Sequence, residues 1–322
     1  MSSPDTPALR ANRKRWLALA VALFSCVVVF LFTKWKTASD NGGQRPATPF
    51  NIAGNLYYVG TQDVTSFLIT SPQGHILIDG GYPGTPPMII ASIRQLGFDI
   101  RDVRILLNSH SHFDHAGGLA ELQRASGAEL WVSEGDADVV ASGMRSDPML
   151  GPLKILAWIG VITYPRPRVD HRFENGAKIT LGGSELTAVV TGGHTRGATT
   201  WLIPVRDGGR TLLAADVCDL NVFGLHSLVP PETYPGIRAD FERGFETLKK
   251  LPVDIFLTNH ARAFGRYRKF AARDTAKNPV DPFIDRPGYL AMVAESEKDY
   301  RVELAYQLAH PSAIGRFLRL HF

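Results

Sequence analysis

Ten residues, Asn108-Ser109-His110-Ser111-His112-Phe113-Asp114-His115-Ala116-Gly117, constrain this chain more than any other stretch, because three imidazoles and a carboxylate crowd into them. The run Val103-Arg104-Ile105-Leu106-Leu107 before them is apolar and short, as in a buried strand, and Ala116-Gly117-Gly118-Leu119 opens a helix-like stretch. The ionisable groups therefore fall on the turn where a strand stops.

A lone histidine is more often a packed or surface residue than a ligand, and a hydrogen-bonded polar turn is the bland alternative here. Four such groups within six residues are different, since each needs compensation when taken out of water. A metal ion supplies it. Neutral imidazole with carboxylate is the ligand chemistry of zinc, whose catalytic sites keep one position open for water; iron and manganese accept the same donors.

Two more boxes accompany the first. Gly193-His194-Thr195-Arg196-Gly197-Ala198-Thr199-Thr200-Trp201 carries one histidine, and Asp254-Ile255-Phe256-Leu257-Thr258-Asn259-His260 is an apolar strand pattern ending in another. The H-x-H-x-D-H pattern resembles the zinc-ligand motif of the metallo-β-lactamase superfamily. The second box resembles that of the third subclass of class B β-lactamases, with Arg196 where that group has proline. Pro282-Phe283-Ile284-Asp285 and Gly288-Tyr289 are also similar, so the resemblance runs over residues 55–307.

The resemblance implies two zinc ions per chain, the first on His110, His112 and His194 and the second on Asp114, His115 and His260. Asp114 is implied as the catalytic group that binds and orients a water, which zinc activates near neutral pH. The implied activity is hydrolytic opening of the β-lactam ring, a small-molecule reaction tied to antibiotic resistance. Asp79, which ends a strand before two glycines, is implied to support the ligand loop from behind, and capping its own turn is the equal alternative.

One departure concerns the substrate. Where some family members place serines that meet the substrate carboxylate, this chain reads Asp216-Val217-Cys218-Asp219, and Asp219 would repel an anion. Asp216 is expected behind the ligands and not on metal. In lactonases and thioesterases of the superfamily an aspartate after such a strand bridges the metals, and His112-Phe113-Asp114-His115-Ala116-Gly117-Gly118 also occurs in lactonases. A lactone, ester or thioester hydrolase is therefore the alternative function. His75, His171, His226, His310 and His321 lack ligand-rich neighbours and are assigned to no metal. Residues 153–164, with Trp158, either border the substrate groove or pack in the ordinary way.

Strand patterns at 55–60, 65–70, 75–79 and 103–107, with a one-sided helix at 86–96, form a first half. Patterns at 177–181, 185–190, 199–203 and 211–215, with a helix at 237–251, repeat the order. Two such halves predict an α/β fold of four layers, an αβ/βα sandwich with two sheets face to face between helices and the ligands on loops at one shared edge.

The catalytic domain is expected at 52–322, after a polar linker at 37–51 and an N-terminal segment at 1–36. Six of the 35 Lys and Arg residues and one of the 31 acids lie in that first segment, leaving 29 basic against 30 acidic residues. The body thus has no basic excess for nucleic acid. Arg10, Arg13, Lys14 and Arg15 precede an uncharged run at 16–33, and Lys34 and Lys36 close it. Such a run is near the lower limit for a membrane-spanning helix, and the basic flank predicts residues 1–15 in the cytoplasm and the domain in the periplasm. An uncleaved inner-membrane anchor is expected, with a long cleaved signal peptide as the alternative. Cys26 lies in that run, so Cys218 has no disulfide partner in the domain. The lipoprotein-like Leu23-Phe24-Ser25-Cys26 is set aside, because apolar residues follow it.

Overall fold

A computed structural model describes residues 43–310, together with the single positions Trp16 and Ser25. The run at 16–33 and the C-terminal residues 311–322 otherwise lie outside the described residues, and no described helix is long and apolar enough to cross a membrane.

Seven strands make the first sheet in chain order: β1 (Phe50–Ala53), β2 (Leu56–Tyr58), β3 (Phe67–Ile69), β4 (His75–Ile78), β5 (Val103–Leu107), β6 (Glu129–Ser133) and β7 (His171–Phe173). The first four pair antiparallel, and β4 to β7 pair parallel. The parallel crossovers are covered by α1 (Pro86–Gln95), α2 (Phe113–Ala116), α3 (Leu119–Ser126), α4 (Ala137–Ser142) and α5 (Lys154–Trp158). The second sheet runs β12 (Ile255–Thr258), β11 (Arg210–Val217), β10 (Thr199–Asp207), β9 (Ser184–Val190), β8 (Lys178–Leu181), and only β11 and β12 are parallel. Three later helices are α6 (Ile237–Lys250), α7 (Arg266–Ala272) and α8 (Arg286–Ala309).

Alternation of side chains builds the layers. On β4, Ile76 and Ile78 join one core cluster with Trp201 and Ile203 of β10, whereas Leu77 joins the other with Ile89 and Ile93 of α1. Phe67 and Ile69 divide from Leu68 in the same way. The first cluster fills the space between the sheets and continues to Phe241, Phe245 and Leu248 on α6; the second lies under α1, α3 and α4. This is the four-layer sandwich expected from the sequence.

The folded body starts earlier than the expected boundary at 52. Pro46 bridges Thr61, and β1 begins at Phe50, inside the stretch read as linker. Phe50 stacks on Tyr58 with ring centroids 5.4 Å apart and also packs on Phe270 and Phe283. One aromatic just after two prolines carries no periodicity, so its packing partners decide the matter. The stretch 153–164 divides: Leu156, Ala157 and Tyr164 are buried, whereas Ile155, Trp158, Ile159 and Val161 are exposed.

Candidate active site

The C-terminal ends of β4, β5, β6, β11 and β12 meet at one edge, where parallel strands of a sheet leave their crevice. Asp79 follows β4 and adopts φ 62°, a left-handed conformation that costs a non-glycine residue energy. Its carboxylate repays the strain. Oδ1 accepts from the amide of Asn108 at 3.1 Å and the N–H of Ser109 at 2.7 Å, and Oδ2 accepts from the Ser109 hydroxyl at 2.5 Å. Oδ2 also lies 3.1 Å from Nδ1 of His115. Asp79 thus holds the loop at 108–109 and the His115 ring from behind.

The rings of His194, His260 and His110 are held by the same device, one nitrogen bound behind and the other left for the centre. Nδ1 of His194 donates to the Asn221 carbonyl at 2.9 Å, and Nδ1 of His260 lies 3.4 Å from Asp63, whose carboxylate takes both arms of Arg262 at 3.0 Å. Nδ1 of His110 faces the Ser109 hydroxyl, Cys218 Sγ and the Asn259 amide at 3.2, 3.5 and 3.4 Å. Nε2 of His110 and Nε2 of His112 are buried and have no hydrogen-bond partner among the described residues.

The free atoms converge. Ligand atoms of His110, His112 and His194 lie within 4.8 Å of one another, as do those of Asp114, His115 and His260. Those are the two expected sets. A third group, His110, His115 and Asp219, overlaps both. Oδ2 of Asp114 is 3.3 Å from Nε2 of His115 and 3.6 Å from Nε2 of His260.

Electrostatics divides the rings. Burial holds His110 and His112 well below the ordinary imidazole range, and the neighbouring histidines push in the same direction. Burial also opposes charge on His115, but Asp114 and Asp79 outweigh it and raise that ring to about 10. His260 rises likewise, against burial, through Asp219, Asp63 and Asp114. Burial works against ionisation of Asp114, yet His115 and His260 bring its carboxyl below the usual range. A cation entering this cluster would replace protons already shared among carboxylates and imidazoles.

The acids after β11 take different places. Asp219 approaches the centre, with Oδ2 at 3.4 Å from Nε2 of His260 and 3.8 Å from Nε2 of His194. Asp216 stands outside the three groups, 1% exposed, with neither oxygen hydrogen-bonded among the described residues. Burial, reinforced by Asp79, pushes its carboxyl well above the usual range, and His115 opposes the rise. Sequence reasoning weighed Asp216 as the acid of the alternative function, but it is Asp219, just past the end of β11, that approaches the centre.

Sequence reasoning missed Asp63 and Asp136. Asp63 lies in the turn of the isolated Val64–His260 bridge, and only the fold brings it to the histidine. Asp136 accepts from both ligand loops. His226 is not a ligand: Nδ1 accepts from the N–H of Phe223 at 2.7 Å and Nε2 donates to the His194 carbonyl at 2.8 Å. Burial and nearby His194 lower it to about 3, so it is neutral and steadies the His194 loop. Trp201, fully buried, donates its indole N–H to the Asn108 carbonyl at 3.4 Å.

Paired His/Asp groups at the edge of two sandwiched sheets define a metal-dependent hydrolase scaffold. Residues 59–260 match the family described as the metallo-beta-lactamase superfamily, and the chain belongs to it. Among solved structures it is similar to the native FEZ-1 metallo-beta-lactamase from Legionella gormanii, at 38% identity and TM-score 0.77 over 82% of this chain and 98% of that one. It is similar to BJP-1, a subclass B3 metallo-beta-lactamase of Bradyrhizobium japonicum, at 31% identity and TM-score 0.77 over 85% and 100%. The N-acyl homoserine lactonase AttM of Agrobacterium fabrum is 28% identical over 185 residues, 48% of this chain and 64% of that protein. The chain spans less than two thirds of the length of the first curated relatives it matches.

Proposed function

We propose that this protein hydrolyses β-lactams, using two zinc ions, one on His110, His112 and His194 and one on Asp114, His115 and His260. The likeness to FEZ-1 and BJP-1 carries this reading, because it covers nearly the whole of each of those proteins and more than four fifths of this chain. The lactonase likeness covers 48% of this chain.

The residues fit the metal. Leaving a buried nitrogen unpaired costs roughly 1–3 kcal/mol, and His110 and His112 each carry one. Bound divalent ions supply a lowered pKa for water and a Lewis acid for the lactam carbonyl. Asp114, 19% exposed at its side chain, can accept a hydrogen bond from an incoming water and take its proton. Asp79 and Asp63 fix His115 and His260, so these rings need not reorganise during the reaction. Water attacks the strained amide, its C–N bond breaks, and the nitrogen leaves carrying a proton, with no covalent enzyme intermediate.

Asp219 supports a second reading, hydrolysis of a lactone, ester or thioester, because its carboxylate stands where an anionic substrate group would meet repulsion. Hydrolysis of a penicillin, a cephalosporin, a carbapenem and an acyl lactone in parallel decides between them. Activity on the lactams, abolished by chelator and restored by zinc, is expected; activity confined to the lactone overturns the first reading.

We also infer an inner-membrane attachment with the domain in the periplasm, supported by the basic cluster at 10–15 and the uncharged run at 16–33. There a hydrolase meets β-lactams before their cell-wall targets do. Cell fractionation with N-terminal sequencing tests it, and a soluble form beginning near residue 40 would refute the anchor.

A further inference from the structure

Asp136 is 1% exposed, sits in the turn after β6, and belongs to none of the ligand groups. Its contacts nevertheless straddle one of them. Oδ2 accepts the N–H of Ser111 at 2.9 Å and the hydroxyl of Thr195 at 2.6 Å, and Oδ1 accepts the N–H of Gly197 at 2.8 Å. Ser111 is the residue between His110 and His112, and Thr195 follows His194.

The surrounding packing leaves this carboxylate little freedom. A Cβ on Gly197 would come within 2.0 Å of Ser133 Oγ and 2.6 Å of the Asp136 nitrogen, and one on Gly135 within 2.8 Å of the Arg196 carbonyl carbon. Turn and loop therefore touch backbone to backbone. Ser133 Oγ donates to the Gly197 carbonyl at 2.7 Å, and the Tyr164 hydroxyl donates to the Ser111 carbonyl at 2.8 Å. His115 and His260 are instead braced by Asp79 and Asp63.

We propose that Asp136 is the positioning residue of the first metal position: one carboxylate sets the spacing between the His110/His112 loop and the His194 loop. The inference rests on the reading of two metal positions. Removing a group that orients metal ligands from behind typically costs ten- to a hundredfold in metal affinity. Here the loss falls on one ion only. Asp136→Asn keeps the shape but turns an amide N–H2 toward a set made wholly of donors.

The test is competitive zinc titration of the full chain in detergent against a chromophoric chelator, with cobalt(II) spectra of the same proteins. Wild type, Asp136→Asn, Thr195→Val, His194→Ala and His260→Ala are compared. The expected result is that Asp136→Asn weakens by about ten- to a hundredfold the same equivalent that His194→Ala weakens, and leaves the other within about twofold. Thr195→Val, lacking one of the three bonds, shifts that equivalent less, and it decides the matter alone if the Asn variant does not fold. Equal weakening of both ions, weakening of the equivalent lost in His260→Ala, or no change overturns the proposal. A wild-type chain that binds fewer than two ions overturns the two-metal reading and this inference with it, whereas two ions in wild type that weaken together in the variant overturn the positioning role alone.

Discussion

Oδ2 of Asp219 lies 3.4 Å from Nε2 of His260, about the separation of two ligands on one tetrahedral zinc ion with bonds near 2 Å. A carboxylate so placed adds negative charge where a substrate carboxylate would approach. At about 6 Å and an effective dielectric near 20 the repulsion is about 3 kcal/mol, and salt reduces it to about 1–2 kcal/mol. Asp219→Ser is therefore expected to lower KM for a penicillin about tenfold while KM for an uncharged acyl lactone stays level. Metal content by atomic emission accompanies the kinetics. Loss of an ion together with lactam activity would place Asp219 among the ligands and favour the second reading.

Asp216 tests the same boundary from behind. Its carboxyl is buried and outside the ligand groups, so Asp216→Asn keeps the shape and removes no ligand. The variant should retain two zinc ions through gel filtration and change kcat/KM less than about tenfold. Departure of one ion would show that Asp216, near the end of β11, reaches the metal when it binds.

These two acids show where sequence reading stops. The strand patterns at 75–79, 103–107 and 211–215 reappear as β4, β5 and β11, because a buried strand writes its partners into its alternation. The ligand histidines were legible for a related reason, being concentrated chemistry at strand ends. Asp219 was legible as a charge near the substrate but not as a group beside the ligand atoms, because residues 218–221 form no regular element and nothing in their spacing tells which acid turns inward. Asp63 and Asp136 lie 197 and 58 residues from His260 and His194, and only the sandwich closes those distances. The 24-residue α8 lacks a one-sided apolar stripe, which left it unread.

Trp201 links packing to the site. It is fully buried, meets Phe173 edge-on at 5.2 Å, and bonds the carbonyl of Asn108 at the start of the ligand loop. Trp201→Ala should cost about 3–5 kcal/mol of unfolding free energy, the usual range for deleting a large buried aromatic. Trp201→Phe keeps the ring contact and loses the indole donor, so about 1–2 kcal/mol is expected. Urea midpoints of the metal-free proteins measure both. If the Phe variant is as unstable as the Ala variant, the hydrogen bond and not the packing dominates.

Asp147 offers a stability change whose size depends on pH. Its carboxylate caps the turn at Pro148–Leu153, with Oδ1 accepting the N–H of Met149 at 2.8 Å, while Oδ2 has no hydrogen-bond partner among the described residues. Burial raises the carboxyl from 3.8 to about 6; the Met149 N–H opposes that rise, the nearby Asp136 adds to it, and Lys154 offsets part. A carboxyl with a higher pKa in the folded chain binds more protons there than in the unfolded chain, so stability falls as pH climbs through that window. Below about 4 both states are protonated and there is no penalty; above about 6 it is complete, at most about 3 kcal/mol. Asp147→Asn retains an oxygen for Met149 and removes the charge. Its stability relative to wild type should therefore rise between about pH 4 and pH 7.5, read as a widening gap in urea midpoints. A gap that is flat or narrows over that range would mean that Asp147 is ionised at no such cost.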